Sequence, residues 1–309
     1  MIQVEGLRKL YGNLVAVEDA SFEVRAGEIF GLLGPNGAGK TTTIGCISGL
    51  LRPDSGSVRV NGYDVGAGGF EARRSLGIVP QEIALYEELT AAENLEYWGG
   101  LYGLRGDDLK RRVRAVLELA GLAERAAEPV KGFSGGMKRR LNLACGLVHG
   151  PKVLLLDEPT VGVDPQSRVR LLDLIREQAR GGACVLYTTH YMEEAETLCD
   201  RIAVMDHGRI IAQGTLAELR AMLGERDLLR LTGRFNPAAA RRVLAEAGGA
   251  ELIQAEESVL LCSTTKAPER LPAVLSALTS AGMEIRDVTL TQPSLESLFI
   301  KLTGKELRE

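Results

Sequence analysis

The segment from Glu28 to Leu50 leaves the chain little choice of fold. Glu28 to Leu33 reads as an apolar strand, Gly34-Pro35-Asn36-Gly37-Ala38-Gly39-Lys40-Thr41 follows it directly, and Thr41 to Leu50 can run on as a helix. The middle element fits G-x-x-x-x-G-K-[ST] in the strand-loop-helix context that gives the pattern meaning. Its glycines let the backbone fold around a phosphate with N–H groups inward, and the helix N-terminus adds favourable electrostatics for an anion. Lys40 is expected to reach the β- and γ-phosphates, the Thr41 hydroxyl to bind Mg²⁺, and Thr42 to add a further phosphate contact. The loop specifies a nucleoside triphosphate without saying what is done with it.

A second element supplies the chemistry. Val153-Leu154-Leu155-Leu156 is a continuous apolar run ending in Asp157-Glu158-Pro159. Asp157 at the end of a buried strand suits Mg²⁺, which takes oxygen ligands and keeps several waters. Glu158 beside it can polarise an attacking water. Cys184-Val185-Leu186-Tyr187 is a second such run, and both read as parallel strands covered on two faces. Between the two halves, from about Thr90 to Lys131, Leu109, Val113, Val116, Leu117 and Leu119 recur at helix spacing, with Lys110, Arg111, Arg112 and Arg114 as a solvated face. The pattern is an α/β sheet with a helical insertion. Ser134 is a natural N-cap for the helix after it, and Gly135 and Gly136 leave backbone N–H groups open to a phosphate.

Composition narrows the setting. The net charge of −4 gives no sign of nucleic acid, and no apolar run approaches the ~18 residues needed to cross a bilayer. The first residues lack a signal peptide's basic head and apolar body and read as a strand. Cys46, Cys145, Cys184, Cys199 and Cys262 have neither metal-type nor redox-type spacing and read as buried small hydrophobes in a reducing cytoplasm. His149 and His207 read as structural, His207 in an Asp206-His207-Gly208 hairpin turn.

Taken in order along residues 1 to 220, these motifs resemble the ATP-binding cassette of ABC transporters. The resemblance implies an α/β fold, a P-loop NTPase ABC cassette with a mixed sheet core, an N-terminal antiparallel β subdomain and a helical insertion, followed by a small C-terminal α+β domain. The expected boundaries are 1–222, with the helical subdomain about 90–131, and 223–309. By the same resemblance Tyr11 stacks on adenine, and Gly34, Pro35, Asn36, Gly37, Ala38, Gly39, Lys40, Thr41 and Thr42 form the ATP cradle. Gln81 is the glutamine that touches Mg²⁺ and senses the transporter. Ser134, Gly135 and Gly136 form the signature that meets a partner's ATP. Asp157 holds Mg²⁺, Glu158 is the catalytic base, Asp164 belongs to the D-loop of Gly162-Val163-Asp164, and His190 contacts the γ-phosphate. Phe133 and Met137 replace the commonest first and last signature residues, and Val161 and Val163 stand where Ser and Leu are common in the D-loop. Phe133-Ser134-Gly135-Gly136-Met137-Lys138-Arg139-Arg140 is similar to exporters whose permease is a separate chain.

The family's signature helix completes a partner's site, so the implied assembly is two cassettes, a homodimer or close paralogues, that sandwich ATP. A separate integral membrane permease would hold the pair at the cytoplasmic face of the cell membrane as a peripheral subunit. Tyr86, Tyr97, Trp98 and Tyr102 are either a groove for a permease helix or part of an ordinary helical core. The remainder reads as strand 227–232, helix 237–248, strand 258–263, helix 268–281, strand 283–290 and helix 294–302, an α+β domain of split βαβ kind. Its close, Leu290 to Phe299, is similar to the accessory tail of exporter cassettes, with an implied role in dimer stability or regulation. The competing functions are a soluble ABC-type ATPase not coupled to transport, a GTPase or small-molecule kinase, and an ATP sensor without turnover. Only about 90 residues separate Lys40 from Ser134, too few for a DNA-maintenance coiled coil. No Asn-Lys-x-Asp guanine motif is found, and Glu158 argues for turnover.

Overall fold

Runs of four or more apolar residues can be strands only where both sheet faces are covered, and the computed structural model puts them there. The described residues are 1–66, 69–223, 226–247, 250–265, 267–291 and 294–303. Along the chain come β1 (Ile2–Tyr11), β2 (Leu14–Val24), β3 (Ile29–Leu33), α1 (Lys40–Ile47), β4 (Ser55–Val60), β5 (Tyr63–Asp64), α2 (Gly69–Arg74) and β6 (Leu76–Val79). Then follow α3 (Ala91–Leu101), α4 (Gly106–Leu119), α5 (Gly135–Leu147), β7 (Val153–Asp157), α6 (Pro165–Arg180), β8 (Cys184–Thr189), α7 (Met192–Leu198), β9 (Arg201–Asp206) and β10 (Arg209–Gly214). They share one sheet, in the order β5-β4-β1-β2-β10-β9-β3-β8-β7-β6. β1, β2, β4 and β5 pair antiparallel, and β9, β3, β8, β7 and β6 pair parallel, which makes the sheet mixed.

Every residue of β3, β7 and β8 is buried. Their register sets Leu33 beside Thr189, Asp157 beside Thr188, and Leu156 beside Val79. The C-terminal ends of β3, β8, β7 and β6 therefore finish side by side, where α/β sheets gather their ligands. His207 and Gly208 both take positive φ in the turn between β9 and β10, as a two-residue hairpin requires.

The helical insertion starts at a capping box, in which the Thr90 hydroxyl accepts from Glu93 N–H and the Glu93 carboxylate accepts from Thr90 N–H. In α4, Val113, Val116 and Leu117 are buried while Lys110, Arg111 and Arg114 are exposed. Arg112 departs from the solvated face expected for it. Its guanidinium donates to the carbonyls of Val148 and Leu147, both at 2.9 Å, and so completes the C-terminus of α5. Tyr102 follows the core alternative, its ring stacking on His149 at 3.5 Å. The Tyr102 hydroxyl and His149 Nε2 converge on the Leu76 carbonyl, at 3.3 and 2.9 Å. The insertion is thus pinned to β6, the strand that leads to Gln81.

A second unit begins at Gly214, ahead of the boundary read at 222/223, because α8 (Leu216–Leu223) packs within it against its last helix. After α8 it runs β11 (Arg226–Arg234), α9 (Pro237–Ala247), β12 (Ala250–Ala255), β13 (Val259–Thr265), α10 (Ala267–Ser280), β14 (Glu284–Thr291) and α11 (Leu295–Thr303). The strands lie in the order β12-β13-β11-β14 with antiparallel neighbours, a β-α-β-β-α-β arrangement of split βαβ type. β12 has no counterpart in the sequence reading. Ala-Glu-Leu-Ile-Gln-Ala lacks strand alternation and becomes a strand through its pairing with β13. Gly248 of the expected helix, and Gln292 and Pro293 of the expected closing stretch, lie outside the described residues.

Burial pushes the His149 pKa down from 6.5 to about 4, against the smaller upward pull of its Leu76 bond. A base with a depressed folded pKa stabilises the fold fully above its unfolded pKa, and the contribution is lost as pH falls through the folded value. His149 is only partly buried, so the loss between pH 6.5 and 4 should be on the order of 2 kcal/mol. Melting temperatures across that window should fall for the wild type and fall less for His149→Gln.

Candidate active site

The site forms where the parallel strands end. β3 hands the chain to the Gly34–Gly39 loop, whose shape admits no side chain at its two ends. A Cβ on Gly34 would come 2.2 Å from the Met205 carbonyl oxygen, and one on Gly39, which has φ of 105°, would come 2.4 Å from that of Ala16. The Ala16 contact seats the β1–β2 hairpin against the loop. The ladder of α1 opens with Thr43 N–H to Gly39 O at 2.9 Å, so the amides ahead of it have no acceptor in their own helix. Asn36, Gly37 and Thr41 lie exposed on the rim, while Lys40 is 4% exposed.

Lys40 Nζ donates to the carbonyls of Gly34 at 2.7 Å and Pro35 at 3.0 Å, and pairs with Glu158 Oε1 at 3.0 Å. Glu158 follows β7 directly and is 5% exposed. Its φ of 45° is a left-handed conformation uncommon for a residue with a side chain, of the sort that collects at functional sites. Its Oε2 lies 2.9 Å from His190 Nδ1, just past the end of β8. One buried carboxylate thus joins residues separated by more than a hundred positions in sequence. The Thr188 hydroxyl fixes the turn, accepting from Glu158 N–H at 3.0 Å and donating to Asp157 Oδ1 at 2.7 Å. Asp157 is 4% exposed.

The other expected residues sit apart from this cluster. Tyr11 is 47% exposed at the tip of the β1–β2 hairpin, facing Leu14, with exposed Val15 beside them. Sequence reasoning passed over Leu14, which pairs across the hairpin with Tyr11 and adds exposed apolar surface beside it. Gln81 is exposed, and its backbone carbonyl accepts from Arg139 Nη1. Asp164 caps α6 by accepting from Ser167 N–H at 2.9 Å, and the Ser167 hydroxyl, followed by that N–H, holds its pKa below the usual carboxylate range. Ser134 caps α5 by accepting from Met137 N–H at 3.3 Å.

Gly135 and Gly136 prove unlike each other. A Cβ on Gly135 would meet nothing within 4 Å, whereas one on Gly136 would come 2.2 Å from Ser167 Oγ and 3.1 Å from Asp164 Oδ2. Gly136 is there for the close approach of α5 and α6 as well as for any ligand.

Two functional candidates escaped the sequence reading. Arg139, on α5, also donates to the Val161 carbonyl at 3.1 Å, so it ties the backbone at Gln81 to the turn before Asp164. Glu194, on α7, is 4% exposed and accepts the hydroxyls of Tyr187, Thr160 and Thr189. Burial, then the Glu194 carboxylate, pushes the Tyr187 phenol well above its usual pKa, so it remains a donor. In sequence, Arg139 is one of several basic residues and Glu194 one of a Glu-Glu pair, and neither carries a spacing signal.

A phosphate-wrapping loop, a buried Lys–Glu–His cluster at adjacent strand ends and a mixed sheet with a helical insertion define an ATP-binding cassette ATPase. The comparisons with known proteins agree. The family model described as "ABC transporter" matches residues 17–161. The linearmycin resistance ATP-binding protein LnrL of Bacillus subtilis is 45% identical over 312 residues, covering all of both chains. The daunorubicin/doxorubicin resistance ATP-binding protein DrrA of Streptomyces peucetius is 40% identical, across 98% of this chain and 92% of that one. The Nod factor export ATP-binding protein I of Ralstonia nicotianae is 41% identical, across 100% and 95%. Among solved structures, an ATP-binding subunit of an ABC transporter is 36% identical with a TM-score of 0.67, over 72% of this chain and 93% of that one. A dimeric cassette in a post-hydrolysis state, bound to ADP and Pi, is 26% identical with a TM-score of 0.64, over 70% and 99%. The chain belongs to the ATP-binding subunits of ABC transporters, which bind and hydrolyse ATP.

The contrast between the two signature glycines is testable. Gly136→Ala should cost about 1–3 kcal/mol of stability through overpacking against Ser167. Gly135→Ala should be neutral or slightly stabilising, since glycine is the poorer helix residue by about 0.5–1 kcal/mol. Urea unfolding of the two variants measures both.

Proposed function

We propose that this chain powers export through a separate permease, and that Glu158, poised between Lys40 and His190, is the base of its ATPase reaction. The buried Lys40–Glu158–His190 cluster carries the reading. Gly34 to Thr42 would cradle the phosphates, Lys40 would turn from its loop carbonyls to the β- and γ-phosphates, and the exposed Tyr11 ring would stack on adenine. Thr41, Asp157 and Gln81 would hold Mg²⁺, which when bound supplies charge neutralisation at the phosphate oxygens. The donor set fits that ion, being all oxygen, with one buried carboxylate and one exposed hydroxyl and no cage of three or more His, Cys, Asp or Glu among the described residues. Glu158 would take a proton from the attacking water, and His190, hydrogen-bonded to Glu158, would face the γ-phosphate.

In the closed assembly a second cassette would present Ser134, Gly135 and the N-terminus of α5 to the γ-phosphate, with Asp164 at the seam. Donors on both sides of the developing charge are what phosphoryl transfer requires. The exposed, unobstructed Gly135 supports this role, as does the dimeric form of the post-hydrolysis cassette. The relatives' names, resistance to antibiotics and Nod factor export, support a transporter over an ATPase acting apart from transport, and export as its direction.

Among the described residues no helix is long and apolar enough to cross a membrane. A permease would therefore hold the chain at the cytoplasmic face. Tyr86, Tyr97 and Trp98 form an edge-to-face chain with centroids 4.9 and 5.6 Å apart, and Tyr86 and Tyr97 are 46% and 43% exposed. Exposed aromatics on the insertion beside Gln81 suit a permease helix, because aromatic residues are favoured at interfaces.

Glu158→Gln should lower turnover at least about a hundredfold while nucleotide binding is kept, and should trap an ATP-dependent dimer visible by light scattering. Unchanged turnover would remove Glu158 from the base role, and a variant that stays monomeric with ATP would count against the sandwich. Tyr86→Ala should keep basal ATPase but lose permease-coupled transport in reconstituted vesicles, and full transport would refute the docking site.

A further inference from the structure

Glu194 lies four residues beyond His190, on α7, and its carboxylate is held from both ends. Oε2 accepts the Tyr187 hydroxyl at 2.7 Å, the Thr160 hydroxyl at 2.9 Å and the Thr189 hydroxyl at 3.0 Å. Oε1 faces Arg168 Nε at 3.4 Å, an ion pair without hydrogen-bond alignment. Burying a carboxylate is expensive unless it is paired and bonded, and an apolar side chain would satisfy this packed position more cheaply. The partners indicate what the carboxylate is for.

They fall on both sides of two catalytic segments. Thr189 precedes His190, and its hydroxyl also accepts from Tyr191 N–H at 2.9 Å, so the backbone is fixed on either side of the histidine. The Tyr191 ring lies 4.1 Å from the His190 ring and under the Arg168 guanidinium at 5.0 Å. Thr160 stands two residues after Glu158 and just before Gly162-Val163-Asp164, and Arg168 stands four residues after Asp164. One carboxylate therefore touches the flanks of the histidine and the flanks of the turn that carries Asp164.

We infer that Glu194 is a positioning residue that holds His190 in register with Glu158 and ties that register to the Asp164 turn. The inference rests on the roles proposed above for Glu158 and His190. It requires the carboxylate, because the group accepts three hydroxyls on one oxygen while the other faces a cation. A glutamine would keep an acceptor but turn its NH₂ group toward Arg168 or toward the hydroxyls.

The test uses the full chain with Glu194→Gln, Thr189→Val and Thr160→Val, each compared with wild type for kcat and KM of ATP. kcat is counted per nucleotide-binding site, so unfolded protein does not enter. Misplacing a reacting group by a fraction of an ångström to an ångström should lower kcat about tenfold to a hundredfold in Glu194→Gln, and less in the single-hydroxyl variants, with KM within about twofold. The chain has three histidines, so the ¹⁵N imidazole spectrum gives an independent readout. His190 resonances should shift or broaden while those of His149 and His207 stay in place. If Glu194→Gln does not fold, the two valine variants decide, since each removes one hydroxyl from a near-isosteric side chain. Unchanged kcat, or a decrease that leaves the His190 resonances unmoved, overturns the inference. Glu158→Gln run in parallel separates the two levels. If it stays active the underlying reading fails, and if it is inactive while Glu194→Gln is fully active only the positioning role fails.

Discussion

A carboxylate out of water, held between an ammonium and an imidazole, governs the rest of this structure. Glu158 can be buried because Lys40 and His190 reach it from neighbouring strand ends, and those ends are neighbours because β3, β8 and β7 are parallel and in register. Parallel pairing in turn demands helices on both faces, and helices there demand the apolar runs of β3, β7 and β8. The glycines of the loop follow from the same constraint, since Gly34 and Gly39 pass so close to neighbouring carbonyls that no side chain fits.

Around that cluster the chain builds a layer of buried and half-buried polar groups that bond to one another. Thr188 splints Asp157 to the Glu158 backbone, Glu194 gathers Thr160, Tyr187 and Thr189, and Arg139 joins the backbone at Gln81 to that at Val161. Bonded networks of this kind rigidify a site, because leaving any one member unpaired is costly in a low-dielectric interior. They also give α5 a double duty. Its N-terminus, with Ser134 and Gly135, is open, while its second turn grips segments of its own chain's site.

How much could be read from sequence depended on whether a role is set locally. The loop, the Asp157-Glu158 strand end and the position of His190 were legible because contiguous residues define them, and the mixed sheet with its insertion followed from the same runs. Gly136 was read as a phosphate contact alone, since the approach of Ser167 from α6 is a tertiary fact. Arg112 looked like one more surface cation, but the carbonyls it completes belong to another helix. From sequence Tyr102 fits a groove or a core equally, and its stack on His149 makes it core. β12 carries no strand pattern and exists by virtue of its partner. Glu194 is adjacent to a near-identical glutamate, and only the packing of α7 decides which of the two is buried.

The central claim is that each ATP is neutralised by groups from two chains. Complementation tests it most directly. A Lys40→Ala chain keeps its signature but loses its cradle, and a Ser134→Arg chain keeps its cradle but loses its signature. Each alone should be inactive, and mixing them should restore ATP turnover, because the mixed pair contains one intact site. A mixture as inactive as its components, or full activity in Ser134→Arg alone, would contradict the account.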